Sequence, residues 1–202
     1  MQQQYTLPLR KFQSYNKEDF IFSECNKDVK TFIDNIQSIW GFEPYPEIVM
    51  LIAPKSSGKT HLCNIITNID PTISVLDNID NKDEEEILHF FNLCHENHHK
   101  AFFTSTQYKH LKLPDLKSRL SSIRSIHINS PDDEMVRSLL VKSFTERSIK
   151  VSNDVIKFLL TRIPRSFASI ENTIEMIDKL SMEQKRNINV AFLSSIKLHE
   201  ID

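Results

Sequence analysis

Four short segments in the first two thirds of the chain have the length of strands, and the first three of them are mainly apolar. They lie at residues 48–52, 73–76, 101–104 and 125–128. Continuous apolar runs are typical of strands covered on both faces, as in a parallel sheet. Helical patterns separate the runs, so the sequence predicts an α/β domain with a parallel sheet of about four main strands flanked by helices.

Capping residues and apolar positions three or four residues apart mark the helices of this domain. One helix is predicted after Asn26, and a second from about residue 58 to about residue 67. A third, with Asp83 and Glu86 as a capping box, is predicted to continue through His99. The order strand, helix, strand is the one that a parallel sheet requires.

After Asn129 only helical patterns occur. Residues 130–133 offer a cap, a first-turn proline and first-turn acids for a helix to about Arg147, and further helices are predicted at about 153–162, 166–181 and 188–198. We therefore expect an extended N-terminal tail at residues 1–19, an α/β domain at 20–129, and a helical lid at 130–202.

Composition narrows the class of protein. With 202 residues, 40% hydrophobic and 26% charged, the chain is expected to fold as a globular protein. No apolar run approaches the roughly 18 residues of a membrane-spanning helix, and the N-terminus lacks a signal-peptide pattern. A cytoplasmic protein that does not contact membranes is the expectation. Cys25, Cys63 and Cys94 lack metal-ligand spacing and are expected to be buried, reduced thiols.

Charge is unevenly distributed along the chain. Residues 1–99 carry 8 basic and 15 acidic side chains, whereas residues 100–165 carry 13 basic and 6 acidic ones. A basic second half could face nucleotide phosphates, an acidic partner or nucleic acid, or it could be an ordinary solvated surface.

The strongest chemical signal is a phosphate loop between the first strand and the next helix. The pattern GxxxxGK[ST] is matched, with alanine in place of the first glycine, by Ala53, Pro54, Lys55, Ser56, Ser57, Gly58, Lys59 and Thr60. Successive backbone amides and the helix N-terminus would converge on phosphate oxygens. Lys59 is expected to reach the β- and γ-phosphates, and Thr60 to ligate Mg²⁺.

Polar residues at the ends of the next two strands complete this site. Asp77 follows the second strand and is the predicted second magnesium residue. Asn78 stands where many such ATPases place the acid that activates water, and an amide cannot accept that proton, unless Asp80 replaces it. The third strand ends in Thr104, Ser105 and Thr106, which are candidates to sense the γ-phosphate, or simply cap the strand.

Five segments, in this order, resemble the AAA+ domains of the DnaA/Hda family: IAPKSSGKTHL, VLDNID, FFTST, LPDLKSRL and IPRSFASIENTIEMIDKL. The resemblance covers nearly the whole chain, and THL after the lysine and LPDLKSRL are its more specific parts. It implies an AAA+ fold that binds ADP or ATP with Mg²⁺, and it adds His61 to the nucleotide-binding residues. Because the chain stops near the end of the lid, the resemblance favours the regulatory branch of the family, without direct sequence-specific DNA binding.

The resemblance also implies roles for two arginines. Arg119, in LPDLKSRL, matches the arginine finger that reaches the nucleotide site of an adjacent ATP-bound DnaA, although Arg124 is a competing candidate. A plain surface salt bridge is the alternative for Arg119. Arg165, in IPRSF, matches the lid arginine that contacts bound nucleotide.

The N-terminal tail is similar to the QLxLPL motif by which this branch of the family binds the sliding clamp, the beta subunit of DNA polymerase III. The matching residues are Gln4, Tyr5, Thr6, Leu7, Pro8 and Leu9, with Tyr5 in place of leucine. An extended segment with a glutamine anchor and leucine plugs is a plausible ligand for a groove.

The chain departs from the family in the length of one connection. Only 16 residues separate Thr60 from Asp77, so one strand is expected to be missing and the strand at 73–76 to lie near a sheet edge. Together with Ala53, this departure leaves nucleotide binding open.

Three functions are therefore considered. The first is an adaptor on the clamp that stimulates hydrolysis of DnaA-bound ATP and limits re-initiation of replication. The second is an autonomous ATPase or phosphoryl-transfer enzyme, and the third is a degenerate module that binds a partner without nucleotide. The chain could also form a homo-oligomer.

Overall fold

The computed structural model describes residues 16–38, 40–107 and 111–196. Four strands are β1 (Ile48–Ile52), β2 (Ser74–Leu76), β3 (Ala101–Ser105) and β4 (Arg124–His127). The helices in these ranges are α1 (Lys27–Asp34), α2 (Lys59–Ile69), α3 (Glu84–Glu96), α4 (Pro114–Ser122), α5 (Asp133–Glu146), α6 (Asn153–Leu160), α7 (Phe167–Gln184) and α8 (Val190–Ser194). Short 3₁₀ turns lie at Lys17–Asp19, Glu24–Asn26 and Ile79–Asn81.

The four strands form one parallel sheet in the order β2-β3-β1-β4. This arrangement confirms the predicted α/β class with a four-stranded parallel sheet and a C-terminal helical lid. It also confirms that the strand preceding Asp77 lies at an edge, since β2 pairs with β3 alone. Because all strands run the same way, the loops after β1, β2 and β3 meet at one end of the sheet.

Alternating side chains of the strands divide the core of the α/β part into two layers. Phe102 packs with α1 and α2 on one face, whereas Phe103 packs with α3 and α4 on the other. Helices α5 to α8 form a separate apolar core around Leu140, Phe144 and Phe192. The phosphate loop lies where the first layer meets the lid, since Ala53 and Met135 belong to the same cluster.

Several predicted boundaries need correction. Helix α1 ends at Asp34, and α3 ends at Glu96 rather than at His99. Asp132 is the N-cap of α5 and accepts the Met135 amide, so Pro131 lies before the helix instead of in its first turn. Helix α4 was not predicted as a helix at all, although it begins with a proline at its first position.

In the described part of the chain, no helix is both long enough and apolar enough to cross a membrane. The three cysteines are buried and free, as expected.

Candidate nucleotide site

The phosphate loop connects β1 to α2 and has the backbone conformation that its sequence requires. Gly58 is the N-cap of α2 and has φ +88°, where a Cβ would also lie 3.2 Å from the Phe20 ring. Ala53 is buried and is not among the described residues with positive φ, so its methyl group adds no backbone strain. The alanine therefore leaves the loop intact.

Lys59 lies across the loop. Its ammonium group donates to the carbonyls of Ala53 (2.9 Å) and Pro54 (2.8 Å) and lies 3.4 Å from the Thr106 hydroxyl. Burial lowers the pKa of Lys59, and the carboxylates of Asp80 and Asp77 oppose that shift. An ammonium that is partly desolvated above a helix N-terminus is well suited to bind a phosphate.

Thr60 and Asp77 form the predicted magnesium pair. The Thr60 hydroxyl donates to one Asp77 carboxylate oxygen at 2.6 Å, and the Thr104 hydroxyl donates to the other. A hydroxyl beside a carboxylate is an oxygen set that Mg²⁺ accepts while retaining several water ligands. The residues present therefore fit the cation.

The Ser57 hydroxyl indicates that the phosphate loop is suited to bind an anion. It is buried within the loop and has no hydrogen-bond partner among the described residues. Buried hydroxyl groups are nearly always paired, so an unpaired one in a phosphate loop fits a site completed by an anion.

The residues after β2 offer no ready base for water. The backbone N–H of Asn78 donates to the Thr104 hydroxyl, and φ of Asn78 is +54°. Asp80 accepts the Ser105 hydroxyl and the Thr106 amide, both at 2.6 Å. Burial would raise the pKa of Asp80, but these hydrogen bonds and one from the Gln107 amide bring it below its ordinary value. A carboxylate that is both engaged and weakly basic is a poor general base.

A cavity of about 640 Å³ opens beside the loop, a volume in the range of small-molecule sites. Its floor is the loop from Ser56 to His61. Its walls come from the N-terminal segment and the lid, through Asp19, Phe20, Ile21, Asn26, Met135, Leu139, Lys142, Ser143, Glu146, Phe167 and Glu171. Apolar side chains such as Phe20 and Phe167 beside the amides of the phosphate loop are surroundings that suit a nucleotide.

Two contacts fasten the N-terminal wall of this cavity to α5. The Asp132 carboxylate accepts the Ser23 hydroxyl at 2.8 Å and the Cys25 amide at 3.0 Å. At the other end, the Lys142 ammonium donates to the Asp19 carbonyl. Both sides of the cavity are thus positioned by one lid helix.

None of these wall residues was predicted as part of the site, apart from the loop itself. No local sequence pattern indicated these walls, because their residues, such as Phe20 and Phe167, are far apart along the chain. A hydrophobic residue in either place is equally compatible with an ordinary core position.

The two candidate finger arginines differ in their surroundings. Arg119, on α4, pairs with Asp115 at 3.0 Å, lies over the Phe91 ring and keeps 26% of its side chain exposed. Arg124, on β4, donates to the Trp40 carbonyl and lies over the Phe32 ring. Arg124 is therefore held by a backbone carbonyl within its own domain, whereas Arg119 is partly exposed and pairs with the exposed carboxylate of Asp115.

Arg165 precedes the N-cap of α7, Ser166, and does not open the helix itself. It pairs with Asp133 at 2.6 Å and donates to the Leu160 carbonyl at 2.9 Å, and the cavity is lined without it. His61 does line the cavity and lies edge-on to the Phe20 ring. Residues 4–9, predicted to bind the clamp, lie outside the described residues.

Residues 132–196, which contain α5 to α8, match the family model of the Hda lid domain. The C-terminal subdomain is therefore similar in sequence to the Hda lid domain. The match covers the lid and not the phosphate loop, so it identifies the subdomain that closes over the candidate nucleotide site.

The described part of the chain folds like the solved structures of DnaA. Domain III of the replication initiation protein DnaA from Thermotoga maritima superimposes with a TM-score of 0.68 at 14% identity, over 88% of this chain and 92% of that one. AMPPCP-bound DnaA from Aquifex aeolicus superimposes with a TM-score of 0.63 at 18% identity, over 85% of this chain and 68% of that one. At such identities the likeness establishes the fold and no more.

An uncharacterized protein of Haemophilus influenzae (strain ATCC 51907 / DSM 11121 / KW20 / Rd) is 31% identical over 86 residues. The matched segment is 43% of this chain and 37% of the length of that curated relative.

Proposed function

We propose that this chain is an Hda-like regulator of chromosomal replication initiation in the bacterial cytoplasm. Bound to the sliding clamp through residues 4–9, it stimulates hydrolysis of DnaA-bound ATP and so limits re-initiation. Arg119 acts in trans as the arginine finger, and the chain itself binds ADP or ATP with Mg²⁺. Sequence-specific DNA contacts are left to DnaA.

One observation carries this proposal: the loop has the residues that phosphates and Mg²⁺ need, whereas the polar residues that follow β2 offer no ready base for hydrolysis. Lys59, Thr60 and Asp77 lie where phosphates and Mg²⁺ would be held. Asn78 cannot accept a proton, and Asp80 is engaged by Ser105 and Thr106. The ATP that is hydrolysed is then expected to be bound in a partner's site. This expectation agrees with the similarity to the Hda lid domain and with the binding of an ATP analogue by a DnaA of the same fold.

The position of Arg119 fits action in trans. Its guanidinium lies on a helix that packs on the face of the sheet opposite α1 and α2, and it is partly exposed. On binding a partner, phosphate oxygens would replace the Asp115 carboxylate as acceptor. A guanidinium suits both, because its forked donors match carboxylate and phosphate alike.

The test uses ATP-loaded DnaA, clamp loaded on DNA, and this protein. We expect hydrolysis to rise with all three present and the rise to disappear when residues 1–9 are deleted. A tail-deleted protein that still binds ADP is the control for folding. No rise with the intact protein would rule out the proposed function.

A second candidate is a module that binds the clamp or another partner without nucleotide. The observation favouring it is that Lys59 is occupied by the Ala53 and Pro54 carbonyls. Calorimetry with ADP and with ATP separates the two, since this candidate predicts no heat with either nucleotide while clamp binding persists.

A further inference from the structure

Glu84, in the first turn of α3, contacts a segment almost thirty residues away. Its carboxylate accepts the Lys112 amide at 2.9 and 3.0 Å and the Leu113 amide at 2.7 Å. Leu113 is the N-cap residue of α4, the helix that carries Arg119. A side chain from one helix thus occupies the N-terminus of another.

Helix α4 has no cap of its own. The side chain of its N-cap residue, Leu113, cannot accept a hydrogen bond from the first turn of the helix. A carboxylate at a helix N-terminus satisfies free amides and interacts favourably with the helix dipole. Glu84 accepts the amide of the N-cap residue, as the glutamate of a capping box does, and the amide before it, so it caps α4 by holding the residues that lead into the helix.

The residues just before Glu84 contact the candidate nucleotide site. Asp80, four residues before Glu84, holds the end of β3 through Ser105 and Thr106. The Thr106 hydroxyl in turn lies 3.4 Å from the Lys59 ammonium. Residues 80–84 thus join the phosphate loop to the start of α4 through fixed polar contacts.

Packing carries the position of the helix start to the arginine. Leu116 and Leu120 are fully buried against α3, in the same apolar cluster as Phe91. The guanidinium of Arg119 lies 5.8 Å from the centre of the Phe91 ring. With its start held by Glu84 and its inner face held by leucines, α4 has one position on the domain.

We infer that Glu84 is a positioning residue for Arg119: by capping α4 from α3, it fixes where the guanidinium stands when the protein meets a nucleotide site on a partner. This inference rests on the function proposed above. A finger that is misplaced by about 1 Å loses roughly 100-fold in rate, so a cap of this kind bears directly on activity.

The experiment compares Glu84→Ala with Glu85→Ala, which removes the same charge from the same helical turn at an exposed position. DnaA-bound ATP hydrolysis is measured against the concentration of each protein. We expect Glu84→Ala to lower the maximal rate by roughly 10- to 100-fold, with little change in the half-saturating concentration and ADP binding kept within about twofold. Glu85→Ala should match the wild type. Added to Arg119→Ala, the Glu84 change should cause no further loss, because both act through one group.

Hydrogen exchange of residues 111–122 provides a readout that needs no partner. It should become faster in Glu84→Ala than in Glu85→Ala, and Glu84→Gln, which keeps one acceptor, should lie between them. An unchanged maximal rate, or equal losses in the two alanine variants, overturns the inference. If the wild type gives no Arg119-dependent stimulation, the proposed function and the finger role fall together. Exchange then reports only whether Glu84 caps α4.

Discussion

The hydroxyl of Thr60 lies 2.6 Å from the carboxylate of Asp77, although one residue begins α2 and the other follows an edge strand. The parallel sheet brings them together, because the carboxyl ends of β1 and β2 lie at the same end of the sheet, where the phosphate loop begins. Thr104, from the strand between them, donates to the same carboxylate. Three strands thus contribute to one oxygen-rich position, which is the basis for expecting Mg²⁺ there.

The first prediction concerns that cation. Asp77→Asn removes the charge while keeping the shape, so ADP binding should lose most of its dependence on Mg²⁺. Calorimetry with ADP in Mg²⁺ and in EDTA measures the difference. Asp70→Asn, at the exposed end of α2, is the matched control and should retain the wild-type dependence. Equal Mg²⁺ dependence in the Asp77 variant and the wild type would contradict the assignment.

A second prediction addresses the phosphate contact itself. Lys59→Ala should weaken ADP binding by roughly 10- to 100-fold, the worth of one or two charge-assisted hydrogen bonds of about 1.5–3 kcal/mol in all. Lys55→Ala, in the same loop but exposed, should weaken it much less. The melting temperature without nucleotide should fall modestly in Lys59→Ala, which loses the hydrogen bonds to the Ala53 and Pro54 carbonyls, and should change little in Lys55→Ala. If ADP binding is the same in the Lys59 variant as in the wild type, the loop does not bind phosphate.

The third prediction separates the two arginines by stability. Arg124→Ala removes a hydrogen bond to the Trp40 carbonyl and the contact with Phe32, and should lower the free energy of unfolding by about 1–3 kcal/mol. Arg119→Ala removes a partly exposed ion pair with Asp115 and the contact with the Phe91 ring, and should cost about 0.5–1.5 kcal/mol, since no backbone carbonyl loses its partner. Urea unfolding measures both. A reversed order would favour a structural role for Arg119.

A fourth prediction follows from Asp132, which ties the N-terminal wall to α5. Burial would raise the pKa of its carboxyl, but hydrogen bonds from the Met135 amide, the Ser23 hydroxyl and the Cys25 and Glu134 amides bring it below its ordinary value. A lowered folded-state pKa means that the contribution to stability is complete above the unfolded pKa of about 3.9 and is lost as pH falls through the folded value.

Urea unfolding between pH 7 and pH 3 tests this expectation. The wild type should lose stability in the most acidic part of the range, and Asp132→Asn should be less stable at pH 7 with a shallower decline below pH 4. Asp154→Asn, an exposed first-turn acid of α6, is the control and should follow the wild type. Parallel curves for Asp132→Asn and the wild type would contradict a stabilising role for the ionised carboxylate.

Local sequence patterns were sufficient to predict the strands and the loop that form the candidate nucleotide site. The run at 48–52 is apolar throughout because β1 is the inner strand between β3 and β4, and the glycine before Lys59 has the positive φ that its motif requires. Asp77 followed from chain order, since consecutive parallel strands end at the same edge. The open edge at β2 followed from the shortened connection before Asp77.

The features that were missed depend on contacts between distant segments. Helix α4 has a leucine at its N-cap, so the local sequence has no capping side chain, and its start is marked by Pro114 and Asp115 alone, while Glu84 accepts the Leu113 amide. The cavity walls were missed for the same reason, because Phe20 and Phe167 become neighbours only when the lid closes over the first apolar layer. Sequence spacing cannot reveal such pairs without the fold.

The most direct test of the central claim is the single-turnover rate of ATP hydrolysis on DnaA in the presence of DNA-loaded clamp and either the wild-type protein or Arg119→Ala. Removing a trans arginine finger should reduce the stimulated rate on the order of 10³-fold. Arg119→Lys should restore little of it, because an ammonium lacks the forked donors. Stimulation by Arg119→Ala equal to that of the wild type would contradict the account.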